Sequence, residues 1–461
     1  HTQPMFNILP YTIETAKGLS YKQVWGMWAT DNQVWLGSED ELGLFINGKK
    51  IKTYDLYSHE LVYNTHINTI YEDRQKRLWL GTYKNGILLY KPDKQEIVHI
   101  SSSLFNNLDV RCFYEDQNGK MWIGTETGIY SCTNEVLVKE EEIQKQLPDI
   151  MVHSLLRDKE GKLWVGTFGK GISIFDVNNK LLWNFVIENG FCSNAVNHMI
   201  KDSEEQIWVA TREGLAVFKN TSQPNRYKIF KEKEGLENSH IRAICEDLEK
   251  RIWISSNDGI SCLDPKQNLF YNYNHHDGVP MGDFMNGSTC MTHNGIIYFG
   301  SQNGACFFNP KELSSIRQVS PVKITQFCKY NKKTESKDAE ISIPFKKGVV
   351  HLPYNQNSFR ITFNVLDYTQ SPQVEFTYML EGLENRWYDT QGENQVIFRN
   401  IPPGKYNFKV RTRIRNQEWD KEIASLNIFI APPLWLTWYA KLGYVILFIF
   451  ALYALLRFYK R

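Results

Sequence analysis

Five acidic turns recur along the chain, each carrying an aspartate: Asp73, Asp116, Asp158, Asp202 and Asp247. Five residues ahead of them stand Asn68, Arg111, His153, Asn197 and Arg242, polar or charged where the neighbouring positions are apolar. Ser288 holds the corresponding place in a last, weaker copy, and His66, Asp109 and His240 lie two residues further upstream in three copies. A second set follows the aromatic landmark of each copy at a turn: Tyr83, Glu126, Phe168, Arg212, Asn257 and Gln302. Aromatic rings beside planar hydrogen-bonding groups suit a sugar, whose ring face stacks while its hydroxyls meet fixed donors and acceptors. Two arginines in such a ring suit an acidic sugar or a sulfate. Taken singly, each of these residues also has a structural reading, as a holder of channel water and neighbouring backbone.

Catalysis is the rival chemistry. Glycoside cleavage needs paired carboxylates, or His and Tyr acid–base groups. The ring offers amides, guanidiniums and imidazoles but few acids, and Asp109 and Glu126 belong to one copy, which does not make them a pair. No GxSxG, HExxH or phosphate-binding glycine loop occurs. The aspartates of the acidic turns are read as turn formers at the opposite face. Eight cysteines are scattered without a CxxC pair, so a zinc site is not indicated. Cys112, Cys245 and Cys290 share a phase within apolar strand patterns and read as buried free thiols; spacing does not choose a disulfide pair. No cofactor, metal or catalytic residue is predicted. The 53 basic and 51 acidic residues leave a net charge of +2, with no basic cluster to bind nucleic acid. The KYNKK run at 329–333 reads as a solvated turn.

The elements that position these residues come from an internal repeat. A short apolar alternation, an acidic turn, an [LMIV]-W-[LIV]-G-T strand and a turn closing in glycine recur, with weaker first and last copies bringing the total to seven. The aromatic landmarks are Trp35, Trp79, Trp122, Trp164, Trp208, Trp253 and Tyr298, spaced by 44, 43, 42, 44, 45 and 45 residues. Period-2 alternation with β-branched and aromatic residues excludes a helical repeat. The all-β reading is a seven-bladed β-propeller over residues 1–315. The landmark tryptophan is expected between neighbouring blades, with the following glycine allowing close approach. The seventh copy lacks its last strand, and Leu9 to Glu14 (LPYTIE) is expected to supply it and close the ring.

Residues 320–433 show a different pattern: VKITQF, SFRITFNV, EFTYML, QVIFRNI, YNFKVRT and LNIFIA, separated by turns. About seven short strands in this span predict an immunoglobulin-like β-sandwich. Residues 438–457 then predict one C-terminal transmembrane helix, apolar on all sides, with Trp435, Trp438 and Tyr439 as an aromatic belt. Arg457, Lys460 and Arg461 follow, so 458–461 are expected to begin a cytoplasmic region, with everything before about 438 outside. The N-terminus has no charged segment followed by an apolar one, so either a signal peptide is already gone or the chain is a piece of a longer one.

The WLGT…GI copies resemble the regulator-propeller repeats of bacterial sensor proteins. The run YMLEGLENRWYDT…FRNIPPGKYNFKVRTR…IAPPLWLTWYAKLGYVILF is similar to the three-tyrosine domain that follows those propellers, with Tyr378, Tyr388 and Tyr406 as its tyrosines. The resemblance covers nearly the whole chain. It implies the periplasmic sensor region of a hybrid two-component system of Bacteroidetes, anchored in the inner membrane. Such systems detect polysaccharide breakdown products and control polysaccharide-utilisation genes through cytoplasmic histidine kinase, receiver and DNA-binding regions. They usually carry two propellers, and this chain has one, so it reads as an internal segment. The resemblance implies an oligosaccharide ligand, a homodimer, and no nucleic-acid contact by this segment. Two alternatives remain: a scaffold propeller for a protein partner, and a glycan-cleaving propeller enzyme.

Overall fold

The computed structural model describes residues 5–15, 18–39, 41–56, 66–100, 108–266, 268–314, 321–329, 349–365, 374–390, 392–414 and 419–460. They fall into two compact units, residues 1–317 and 318–461. Beyond Lys329, the KYNKK run lies outside the described residues.

The first unit is a ring of seven four-stranded antiparallel sheets. Blade 2 shows the pattern: inner strand Ile67–Glu72, then Leu78–Thr82, Ile87–Lys91 and the outer strand Glu96–Ile100. The inner strands of the others are Gly26–Ala29, Val110–Glu115, Val152–Arg157, Val196–Lys201, Ile241–Glu246 and Phe284–Met291. A two-stranded hairpin, Thr12–Thr15 with Gly18–Tyr21, stands apart from the blades.

Each letter of the repeat has a bond behind it. In blades 2 to 6 the turn aspartate accepts the indole N–H of the tryptophan six residues on, at 2.7–3.0 Å. Its other oxygen accepts two backbone N–H groups of the turn, as Asp202 does from Glu204 and Gln206. The aspartates are therefore turn formers, as their pattern predicted. The threonine or serine closing the second strand donates to a carbonyl in the turn that follows, from Thr82 to Gly86 at 2.8 Å through Ser301 to Gly304 at 2.9 Å. Trp79 shares a core cluster with Val110, Phe113 and Ile123 of the next blade, and Trp208 one with Ile241, Ile244 and Ile254. Burying such a side chain contributes roughly 1.5–3 kcal/mol. Gly81 makes the junction possible: a Cβ there would sit 2.6 Å from Thr69 and 2.7 Å from Val110 of the next blade.

Ring closure departs from expectation in one detail. The strand completing blade 7 is Asn7–Leu9, paired Asn7 to Phe307 and Leu9 to Ala305; of the expected stretch Leu9 to Glu14 only Leu9 takes part. Pro10 has no N–H to continue the ladder, and the chain beyond it turns into the separate hairpin. After Phe308 the chain forms a short helix, Pro310–Ser314.

The second unit holds a three-stranded sheet and a five-stranded sheet around one core that includes Phe327, Phe359, Phe363, Phe408 and Ile428. Two strands escaped the sequence reading. Val349–Leu352 pairs parallel with Ala424–Ile430, and the two-residue Tyr388–Asp389 pairs with Val374–Glu381. Both are too short to show an alternation. Tyr378 faces Tyr388 across the ladder, with ring centroids 5.7 Å apart. Tyr406 donates its hydroxyl to Pro402 O at 2.8 Å, the tyrosine corner of immunoglobulin-like sandwiches. Past Pro433 a single 3-10 turn, Leu434–Leu436, leads to the helix Trp438–Tyr459. That helix has mean hydropathy 2.0 and no buried residue. Its 22 residues span roughly 33 Å, long enough to cross a membrane.

Candidate functional site

Every propeller residue predicted from the acidic turns in blades 2 to 6 is a β-bulge. Pairing of the inner strand with its neighbour skips Asn68, Arg111, His153, Asn197 and Arg242 in turn. A bulge re-aims the extra side chain, here at one mouth of the ring. In blade 7 the irregularity runs from Phe284 to Thr289. Ser288 is therefore out of phase: it is buried and donates to Val24 O of blade 1 at 3.2 Å. Asn286 takes the place it was expected to fill.

The inner strands enclose a cavity of about 490 Å³. Asn68, Arg111, His153 and Asn197 line it, joined by Trp25 and Asn286, which the repeat indexing missed. Blade 6 lines none of it. There Ile244 N–H donates to His198 Nδ1 at 3.2 Å, and burial pulls the His198 imidazole down to about 4, keeping it neutral. Arg242 is thus displaced from the cavity wall to the rim. The residues of the turn after the second strand, Tyr83, Glu126, Phe168, Arg212 and Gln302, also stand outside the wall, touching His66, Arg111, His153, Phe168 and Asp283 respectively.

On the side of blades 2 to 4 the rim is a chain of polar contacts. Asn68 donates to Asp109 Oδ1 at 2.7 Å and to Val110 O at 3.1 Å, bridging two blades. Arg111 lies 2.8 Å from Asp109 Oδ2 and 2.9 Å from Glu126 Oε1. His153 Nε2 is 3.6 Å from the same Glu126 oxygen. His153 and Arg111 hold the Glu126 carboxyl below its ordinary range. Burial pushes Asp109 up, partly offset by Arg111. His66 sits 3.6 Å from Glu39 and edge-on to Tyr83, with centroids 5.6 Å apart. Asn197 has a structural role: it is 2% exposed and donates to Ile241 O at 2.7 Å.

On the side of blades 5 to 7, Arg212 lies over the Phe168 ring at 4.4 Å, and that ring is 4.9 Å from His153. Arg242 donates to Asn257 Oδ1 at 2.7 Å and to Asn286 Oδ1 at 3.1 Å, with Asp283 at 3.8 Å. Gln302 reaches the same Asp283 carboxylate at 3.5 Å. Burial, with the charges of Arg242 and Arg212, pulls the His240 imidazole down.

Asp109 and Glu126 share the Arg111 guanidinium in one ion-pair network. Trp25 adds an indole to the cavity, and its buried Nε1–H has no hydrogen-bond partner among the described residues. Among those residues no group of three metal-ligating side chains occurs. All eight cysteines are free thiols, and burial pushes Cys112 and Cys245 up to about 12, which makes them unreactive.

Several known proteins resemble this chain. The two component regulator propeller model matches residues 62–84, 103–127 and 146–169, and the Y_Y_Y domain model matches 367–431. The extracellular domain of a protein assigned as a hybrid two component system from B. thetaiotaomicron is 39% identical, with a TM-score of 0.83 over 94% of this chain and 58% of that one. A second such domain from B. thetaiotaomicron, 20% identical over 90% of this chain and 58% of that one with a TM-score of 0.51, shares the fold. A histidine kinase of Formosa agariphila is 24% identical over 87% of this chain. The chain spans 34% of that kinase and 58% of the solved domain.

Proposed function

We propose that this chain, an extracellular sensor region of a hybrid two-component system carried on one membrane helix, is a receptor for an oligosaccharide derived from polysaccharide breakdown. The ligand seats at the mouth of the propeller channel. The observation that carries this reading is the channel of about 490 Å³ enclosed by the inner strands, lined by Trp25, with its unpartnered indole N–H, and by the amide, guanidinium and imidazole groups of Asn68, Arg111 and His153. Indole stacking and pre-placed donors are what a sugar needs. Because Asn68, Asp109, Arg111 and Glu126 are already held in place by one another, little ordering entropy remains to be lost on binding.

In this reading the propeller and sandwich lie in the periplasm and the helix crosses the inner membrane of a homodimer. Binding favours one arrangement of the two copies, which requires better contacts in that arrangement than in the other. The sandwich then acts on the helix, and the cytoplasmic kinase of the complete protein adjusts polysaccharide-utilisation genes. The segment itself performs no chemistry.

Calorimetric titration of the detergent-solubilised chain against a panel of oligosaccharides tests the site. Binding of at least one member unaltered, weakened tenfold or more by Trp25→Ala, is the expected result. Turnover of the oligosaccharide supports the enzyme reading instead, and binding that ignores Trp25→Ala places the ligand elsewhere.

A further inference from the structure

The two sides of the mouth differ in charge balance. Around Arg111 two carboxylates, Asp109 and Glu126, stand within 2.9 Å of one guanidinium, leaving that side net negative. Across the mouth stand two guanidiniums, Arg212 and Arg242, and the Asp283 carboxylate, 47% exposed, lies 3.8 Å from Arg242. Among the described residues no carboxylate lies within ion-pair distance of Arg212. Its guanidinium lies over Phe168 at 4.4 Å, and its backbone N–H is fixed to Ala195 O at 3.2 Å. The neighbouring His240 holds a buried Nε2 without a hydrogen-bond partner among the described residues. Its Nδ1 is 3.4 Å from the Asn257 amide that also orients Arg242.

A cationic pole with an unspent fork and a spare imidazole nitrogen has one natural complement, an oxyanion. We infer that Arg212, Arg242 and His240 form a subsite for an anionic substituent, a carboxylate or a sulfate, on the sugar bound at the mouth. This deepens the receptor reading and rests on it. A planar guanidinium can meet a carboxylate or sulfate through two parallel hydrogen bonds. Its contact with Phe168 limits the freedom it loses in doing so. The net negative side repels the same substituent, so the mouth also fixes the direction in which the sugar enters.

Titration with glucuronate, sulfate ion and glucose tests the subsite and separates the two acid classes. The expected outcome is glucuronate or sulfate binding at least tenfold tighter than glucose, weakening as salt is raised. Arg212→Ala, an exposed and fold-neutral change, removes that advantage, and Arg212→Lys restores it only in part. Trp25→Ala weakens glucose and glucuronate alike. Should glucose and glucuronate bind equally, or should Arg212→Ala leave the preference intact, the subsite is wrong while the receptor reading stands. Loss of the channel mouth as the sugar site shows differently, as Trp25→Ala leaving all sugar binding unchanged.

Discussion

Glu126 gathers His153 and Arg111 on one carboxylate, and this gives it a pH signature. Its carboxyl is held below the ordinary value of 4.5, so its stabilising contribution is present above pH 4.5 and is lost as pH falls through the lowered value. Glu126→Gln removes a charge whose benefit exists only on the alkaline side. The melting temperature of the unchanged chain should therefore exceed that of Glu126→Gln near pH 7, and the gap should close as pH falls below 4.5. A gap that stays constant with pH contradicts the assignment. Asp202 tests a different kind of residue. Its loss orphans the buried Trp208 indole N–H, bonded at 2.7 Å, and two turn amides. Each unsatisfied buried donor costs about 1–3 kcal/mol, and the turn amides can turn to water. Asp202→Ala should cost about 2–4 kcal/mol in denaturant unfolding, with Asp202→Asn, which keeps the turn acceptor, costing less. At this scale the polar ring was legible because each member is one letter at a fixed distance from an aspartate. Ser288 misled because blade 7 inserts a longer irregularity between the same landmarks. Trp25 and Asn286 stayed hidden because no aspartate indexes them.

Among the elements, the closing strand Asn7–Leu9 decides whether the ring is closed. Its partner strand begins at Gly304, whose φ of +106° favours glycine and where a Cβ would collide with Leu9 O. Gly304→Ala should cost about 1–3 kcal/mol for the backbone conformation alone and loosen the seam between N-terminal strand and blade 7. Limited proteolysis should then cut near Pro10 faster than in the parent chain; an unchanged rate means that the strand is not what holds the ring. A missing fourth strand in blade 7 was visible in the sequence, since three strand patterns end in GACFFNP. Its replacement starts two residues and ends five residues before the expected stretch, because LPYTIE and NIL both carry apolar residues and only pairing with Cys306 and Ala305 distinguishes them.

For the molecule as a whole, the joint between sandwich and helix carries the proposed signal. Pro432 and Pro433 precede a single 3-10 turn, Trp435 lies edge-on to Tyr354 at 5.3 Å, and Thr437 begins the helix. In the proposed mechanism this short joint passes a displacement of the sandwich to the helix. Inserting a Gly/Ser segment after Pro433 should leave ligand affinity within about twofold and abolish the ligand-dependent kinase response. A response that survives a long insert contradicts the rigid joint. The apolar run from Trp438 makes the helix legible in the residues themselves, since a segment apolar on all sides has no soluble face to offer.

The repeat period, the seven blades, the sandwich and the apolar helix are all written along the chain, because each depends on neighbours within one turn or one strand. What only the folded ring decided is who meets whom across it. Asn68 finds Asp109 and Arg242 finds Asn286 from blades that are sequence neighbours but separate sheets. Arg111 is neutralised while Arg212 is not. Charge balance at the mouth is a through-space sum over side chains about one repeat apart, and spacing fixes their phase without fixing which partner each one reaches.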